Sequence, residues 1–189
     1  AYGFRQLKPT EVAMTTDTVF DMASITKPLA TATSVMILLE QGKIRLRDKV
    51  TTYIPEFANN GKNNVTVNQL LTHQAGFVPD NSIDDYEQGR KQAFENIYAL
   101  DTMYGPGERF VYSDVGFILL DALIERQSGH PVDAFSRQNI FQPLGMRETG
   151  YLPAQHLRDR AAKTEQREGR WMRGEVHDPR AYRMAGVAG

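Results

Sequence analysis

The 189-residue sequence contains no cysteine. That excludes disulfides, thiol catalysis and cysteine-ligated metal. Excess charge of either sign is also missing: the formal net charge is -1, so no global field draws the chain to nucleic acid or an anionic membrane surface. No apolar run approaches the roughly 20 residues of a membrane-spanning helix. The start, Ala1-Tyr2-Gly3-Phe4-Arg5, lacks the basic and apolar stretches of a signal peptide and has no initiator methionine. The end, Gly186-Val187-Ala188-Gly189, reads as a flexible stretch, and both termini suggest a piece of a longer chain. Three functional signatures are absent as well. No serine sits in a Gly-x-Ser-x-Gly elbow, no glycine loop suits a phosphate, and His73, His130, His156 and His177 have no zinc-site spacing. Neither a metal nor a cofactor is expected.

The composition is that of a globular domain, with 41% hydrophobic and 24% charged residues. Residues 2–8 suit a short strand. Residues 24–41 predict a long helix, with Leu29, Ala32, Val35, Met36 and Leu39 on its buried face and Gly42 as its stop. Pro28 is tolerated in a first turn, where its missing N–H would lack an intrahelical partner. Residues 48–57 read as a short helical or extended piece, 59–64 as a loop, 67–72 as a short helix, 77–86 as a polar loop and 86–100 as an amphipathic helix. Residues 115–127 predict a strongly apolar helix stopped by Gly129 and Pro131, and 132–140 a shorter one. Residues 156–173 carry six basic residues against three acidic ones. They read as a solvated loop; the other reading is a rim that attracts an anionic substrate.

Chemistry concentrates at Ser24-Ile25-Thr26-Lys27. Three residues apart on a helix, Ser24 and Lys27 share a face. A serine hydroxyl needs a base to become a nucleophile. Lysine serves only where burial or nearby positive charge makes it give up its proton, and an apolar helix start supplies both. The serine N–H could also donate to an oxyanion. Taken alone, Ser-x-x-Lys is more often a capped helix start than a catalytic pair.

Its companions change that balance. They are Phe20-Asp21-Met22-Ala23 before the serine, Leu70-Leu71-Thr72-His73-Gln74-Ala75-Gly76, the stretch from Pro106-Gly107 to Tyr112-Ser113-Asp114, and Phe141-Gln142-Pro143-Leu144-Gly145-Met146. In this order they resemble the serine β-lactamase and penicillin-binding-protein superfamily, in the branch of class C β-lactamases, D-alanyl-D-alanine carboxypeptidases and esterases. The resemblance implies an α+β, β-lactamase/transpeptidase-like fold, here mostly its helical portion and lacking much of the antiparallel sheet. Residues 1–57 would hold the nucleophile helix and an edge of the α/β lobe, 58–150 the helical lobe, and 151–189 the return toward the α/β lobe. It further implies Ser24 as the acylated nucleophile, Lys27 as its proton-transfer partner and Tyr112 as the relay to the leaving group. The expected substrate is a small molecule or peptide: a β-lactam, a D-Ala-D-Ala peptide or a small ester. The periplasm or the cell exterior is the compartment the resemblance suggests.

Two features depart from the family pattern. Asp114 stands where the branch usually has asparagine. As a substrate-binding residue beside Lys27 it would pair with the ammonium and shift proton transfer toward Tyr112. A second register, with Ser113-Asp114-Val115 imitating Ser-Asp-Asn, is disfavoured because Val115 lacks an amide. The family's third motif, Lys-Thr-Gly or a His-Ala-Gly relative, does not occur downstream of Tyr112, although residues 174–178 and 186–189 resemble the sequence before it. His73, in a helix-to-turn segment, suits a structural hydrogen-bonding role. A Ser24–His177 triad is a weaker alternative.

Overall fold

The computed structural model describes residues 1–185 and Val187. The last-motif resemblance at Gly186, Ala188 and Gly189 therefore lies outside the described residues.

The first strands, β1 (Phe4–Gln6) and β2 (Val12–Ala13), form an antiparallel pair. One continuous helical stretch follows in three parts. A 3₁₀ turn spans Ala23–Ile25, a π-helical segment Lys27–Ala32, and helix α1 Thr33–Glu40. The helix expected over 24–41 is present, but its buried face differs from the expected one. Lys27, Ala30, Thr31, Ser34, Val35 and Leu38 are buried, whereas Met36 and Leu39 are 39% and 36% exposed. A π turn holds more residues than an α turn, so the stripe is out of phase with a strict 3.6-residue reading.

Residues 48–57 form two 3₁₀ turns, Val50–Thr52 and Pro55–Phe57. Of the loop expected at 59–64, Lys62–Asn64 form a 3₁₀ turn, and two side chains of the segment close the end of a later helix. Asn60 Nδ2 donates to the Ala99 carbonyl at 2.8 Å, and the fully buried Lys62 ammonium donates to that of Leu100. Burial lowers the Lys62 pKa. Helix α2 (Val67–Leu71) begins with a reciprocal capping box between Thr66 and Gln69.

The helix expected from Tyr86 starts later, as α3 (Arg90–Ala99). Gly89, at φ 86°, cannot belong to a right-handed helix, and Ile83–Tyr86 form their own 3₁₀ turn. Helix α4 (Asp114–Ser128) is the centre of the molecule: every residue from Val115 to Ile124 is buried. A helix apolar on all sides can only be an interior one. It is capped by the Ser113 side chain, which accepts from the Gly116 amide, and it ends at Gly129. Around it pack α1, α2, α3 and α5 (Val132–Ser136), the last running into a second π-helical segment, Arg137–Phe141.

Residues 156–173 are not a solvated loop. They contain the end of α6 (Gln155–Arg158) and an antiparallel hairpin of β3 (Lys163–Arg167) and β4 (Arg170–Arg173). Their basic side chains are largely engaged: Arg160 with Asp17 and Glu148, Arg167 with Glu165, Arg170 with Glu175. Arg173 donates to the Ala161 carbonyl. Three of the six basic side chains are thus paired with carboxylates, which works against an anion-attracting rim. Helix α7 (Pro179–Arg183) completes the described structure. Among the described residues no helix is long and apolar enough to cross a membrane.

Candidate functional site

Ser24 lies in the 3₁₀ turn that opens the helical stretch. The residue before it, Ala23, has φ +45°, a left-handed conformation that costs a side-chain-bearing residue energy. Asp21 supports this turn. Its Oδ1 accepts from the Ala23 amide at 2.9 Å, and its Oδ2 accepts from the His177 amide at 3.2 Å and lies 3.0 Å from His177 Nδ1. A residue from the far end of the chain thus braces the turn that presents the serine.

Lys27 is 2% exposed. Its Nζ donates to Ser24 Oγ at 2.9 Å and lies 2.8 Å from Asp114 Oδ1. The π-helical segment that starts at Lys27 turns this side chain inward. Asp114 is the first residue of α4 and arrives from the opposite side. Its amide donates to the Pro79 carbonyl at 2.9 Å, which fixes the helix start against the 77–86 segment.

Tyr112 is 44% exposed and forms the upper wall. Lys27 Nζ is 5.1 Å from its ring centroid and 5.9 Å from that of Phe117, distances at which a cation is attracted to a ring face. The structure therefore brings Ser24, Lys27, Tyr112 and Asp114 together. Ser24 and Tyr112 face solvent over a buried lysine.

His73 serves as a hydrogen-bonding residue here: its Nδ1 accepts from the Ser113 amide at 3.1 Å. Burial, followed by the Lys27 charge, lowers its pKa, against an opposing pull from Asp114. Asp80 at the rim behaves oppositely. Burial raises its pKa, with Asp114 and Asp178 adding to the rise and Arg180 and Lys27 opposing it. His177 pairs with Asp21 through Nδ1, and among the described residues no hydrogen bond joins it to Ser24, whose Oγ accepts from Lys27 Nζ instead.

A cavity of about 360 Å³ lies beside the same helical stretch, lined in part by Phe20, Met22, Leu29, Phe141 and Met146. Ser24, Lys27 and Tyr112 do not line it, so it is a separate feature from the lysine-floored shelf. Among the described residues no cluster of His, Asp and Glu side chains is arranged to hold a metal ion.

The family model described as Beta-lactamase matches residues 1–189. The chain belongs to the beta-lactamase family. A Bacillus subtilis relative named N-acetylmuramyl-L-alanine amidase is 31% identical, with all of this chain and 51% of that protein covered. An Escherichia coli relative named "Putative D-alanyl-D-alanine carboxypeptidase" is 32% identical, over 94% of this chain and 48% of its own length. The beta-lactamase-family chain thus spans about half the length of these relatives. Among solved structures, a penicillin-binding-protein homologue from Caulobacter crescentus superposes with a TM-score of 0.74 at 25% identity, covering 88% of this chain and 45% of that one. The octameric homologue from Pyrococcus abyssi gives 0.70 at 26%, with 90% and 42% covered. The fold is β-lactamase/transpeptidase-like, and the relatives support a serine-hydrolase type of function in general.

Sequence reasoning did not identify Asp21 or Phe117 as members of the site. Asp21 stands inside the quoted Phe20–Lys27 stretch, and that adjacency was the only signal for it. Phe117 lies one helical turn beyond Tyr112–Asp114 and reads as ordinary core.

Proposed function

We propose that this chain carries the acyl-transfer centre of a serine hydrolase. Ser24 Oγ attacks a carbonyl carbon while its proton passes to Lys27 or, through it, to Tyr112. The Oγ–C bond forms, and the bond to the leaving nitrogen or oxygen breaks as that atom takes up a proton from Tyr112. Water then releases the acyl group by the reverse relay. Asp114 holds Lys27 Nζ in place beside Ser24 and lines the substrate side of the shelf. The observation that carries this reading is the placement of Lys27 Nζ, 2.9 Å from Ser24 Oγ and 2.8 Å from Asp114 Oδ1. A serine held against a buried amine has a base within direct proton-transfer reach.

The names of the amidase and carboxypeptidase relatives support a cell-wall peptide or related amide as substrate. A β-lactam or a small ester offers the same carbonyl to the same attack. The test is covalent labelling with a fluorescent penicillin and with a fluorophosphonate. One adduct per chain is expected at Ser24, and none in Ser24→Ala. No mass shift with either probe, or labelling that persists in Ser24→Ala, overturns the reading.

Asp114 motivates a second reading, a member that binds cell-wall peptide or a partner without turnover. Its carboxylate holds Lys27 where the branch usually has an amide. An adduct that forms and is never released, or peptide binding without any adduct, would favour it.

A further inference from the structure

His73 lies two residues beyond the end of α2, at φ +55°. Left-handed backbone is adopted by glycine and, among the others, most often by asparagine, aspartate and histidine. The His73 ring lies 4.4 Å from the Tyr112 ring, centroid to centroid, at 32°, and 5.0 Å from that of Phe117 at 33°. Phe110 meets it edge-on at 5.8 Å. The two residues flanking Tyr112 are also tied to it. The Val111 amide donates to the His73 carbonyl at 2.8 Å, and the Ser113 amide donates to His73 Nδ1 at 3.1 Å. Tyr112, itself half exposed, is thereby held between two hydrogen bonds and one ring face, all from a single residue. Lys27 Nζ lies over the same two rings, Tyr112 and Phe117.

We propose that His73 is a positioning residue that fixes Tyr112 in register with Lys27 and Ser24, and that it does so only as a neutral imidazole with its proton on Nε2. The inference rests on the reading of Tyr112 as the proton relay. An imidazolium would turn a donor toward the Ser113 N–H, which is itself a donor. The charged and titratable groups facing the ring are Lys27 from the first helical stretch, Tyr112 from the segment leading into α4, and Asp114 at the first position of α4. Burial and Lys27 together keep the ring neutral below its ordinary range near 6.5. The acid limb of the acylation rate should therefore fall below that pH.

Two variants separate the two contacts. His73→Asn keeps an acceptor near the Nδ1 position and suits the left-handed backbone, but removes the ring. His73→Phe keeps a ring and removes the acceptor. The measurements are the rate constant and apparent affinity of Ser24 acylation by a fluorophosphonate across the acid range, and the NMR signals of the Tyr112 ring. His73→Asn should acylate about 10–100-fold more slowly, with little change in affinity, no histidine-dependent acid limb, and Tyr112 signals shifted by loss of the ring current. His73→Phe should also lose the acid limb, with a smaller shift of Tyr112. Acylation of His73→Asn within about twofold of the parent overturns the proposal, and so do unmoved Tyr112 signals. If the parent forms no adduct, the proposed function fails, and the Tyr112 signals alone decide the positioning role. If neither variant folds, ¹⁵N spectra of the parent decide: a proton on Nε2 at neutral pH supports the proposal, and one on Nδ1 overturns it.

Discussion

At the residue scale, the unusual element is a carboxylate that shares a lysine with a serine. Asp114 and Ser24 both take up Lys27 Nζ, at 2.8 and 2.9 Å. An ammonium cannot accept the serine proton, and the carboxylate competes for the same nitrogen. Asp114→Asn keeps a hydrogen-bond acceptor and removes the charge. Acylation of Ser24 should then accelerate, by about tenfold if the barrier falls by about 1.4 kcal/mol. Stopped-flow labelling at neutral pH measures it; an unchanged rate would assign Asp114 a purely structural part, and a slower one would show that its charge assists the proton transfer. Ser24 and Lys27 were legible in the sequence because three residues on a helix fix their proximity. The clasp of Asp21 by His177 was not, since 156 positions separate the two and nothing local in either stretch refers to the other.

At the scale of elements, legibility followed periodicity. Helix α4 could be read because it is apolar around its whole circumference, so no error of phase could hide it. The stretch at 23–40 could be read as helical, but its buried side could not be named. The π-helical segment at Lys27–Ala32 shifts the phase, and no pattern of apolar residues announces it. The turn after α2 shows a different constraint. Gly76 has φ +86°, and a β-carbon there would sit 2.1 Å from the Tyr104 carbonyl oxygen. The Met103 amide donates to the Gly76 carbonyl at 2.7 Å, so the two segments are already in backbone contact. Gly76→Ala should lower stability by about 3 kcal/mol or more, from backbone strain and overpacking together. Urea denaturation would show this as a lower midpoint, whereas a loss under about 0.5 kcal/mol, the range of an ordinary surface change, would mean that the two segments separate easily.

At the scale of the whole molecule, α3, α4 and α5 are joined by one fully buried carboxylate. Asp121 Oδ2 lies 2.6 Å from Arg90 Nη2 on α3, and Asp121 Oδ1 accepts from the Val132 amide at the start of α5 at 2.9 Å. Asp121→Ala leaves the Arg90 charge without this partner and the Val132 amide without its acceptor. It should cost about 3–5 kcal/mol, measured by urea unfolding; a much smaller loss would show that Glu125, 2.7 Å from Arg90, carries the pair alone. The apolar run around Asp121 marks it as buried, but nothing in the sequence names its partners, because they come from two other helices. The family's helical architecture was readable from ordered motifs spread along the chain, while the packing that binds it was not. The π-helical segment also bears on how this lineage can vary in length. Each residue added to or removed from a helix rotates everything on one side by about 100°. A single-codon deletion between Lys27 and Thr33 would swing the ammonium away from Asp114 while leaving α1 seated. A point change at an exposed position such as Pro28 leaves that geometry in place, whereas a change of length does not.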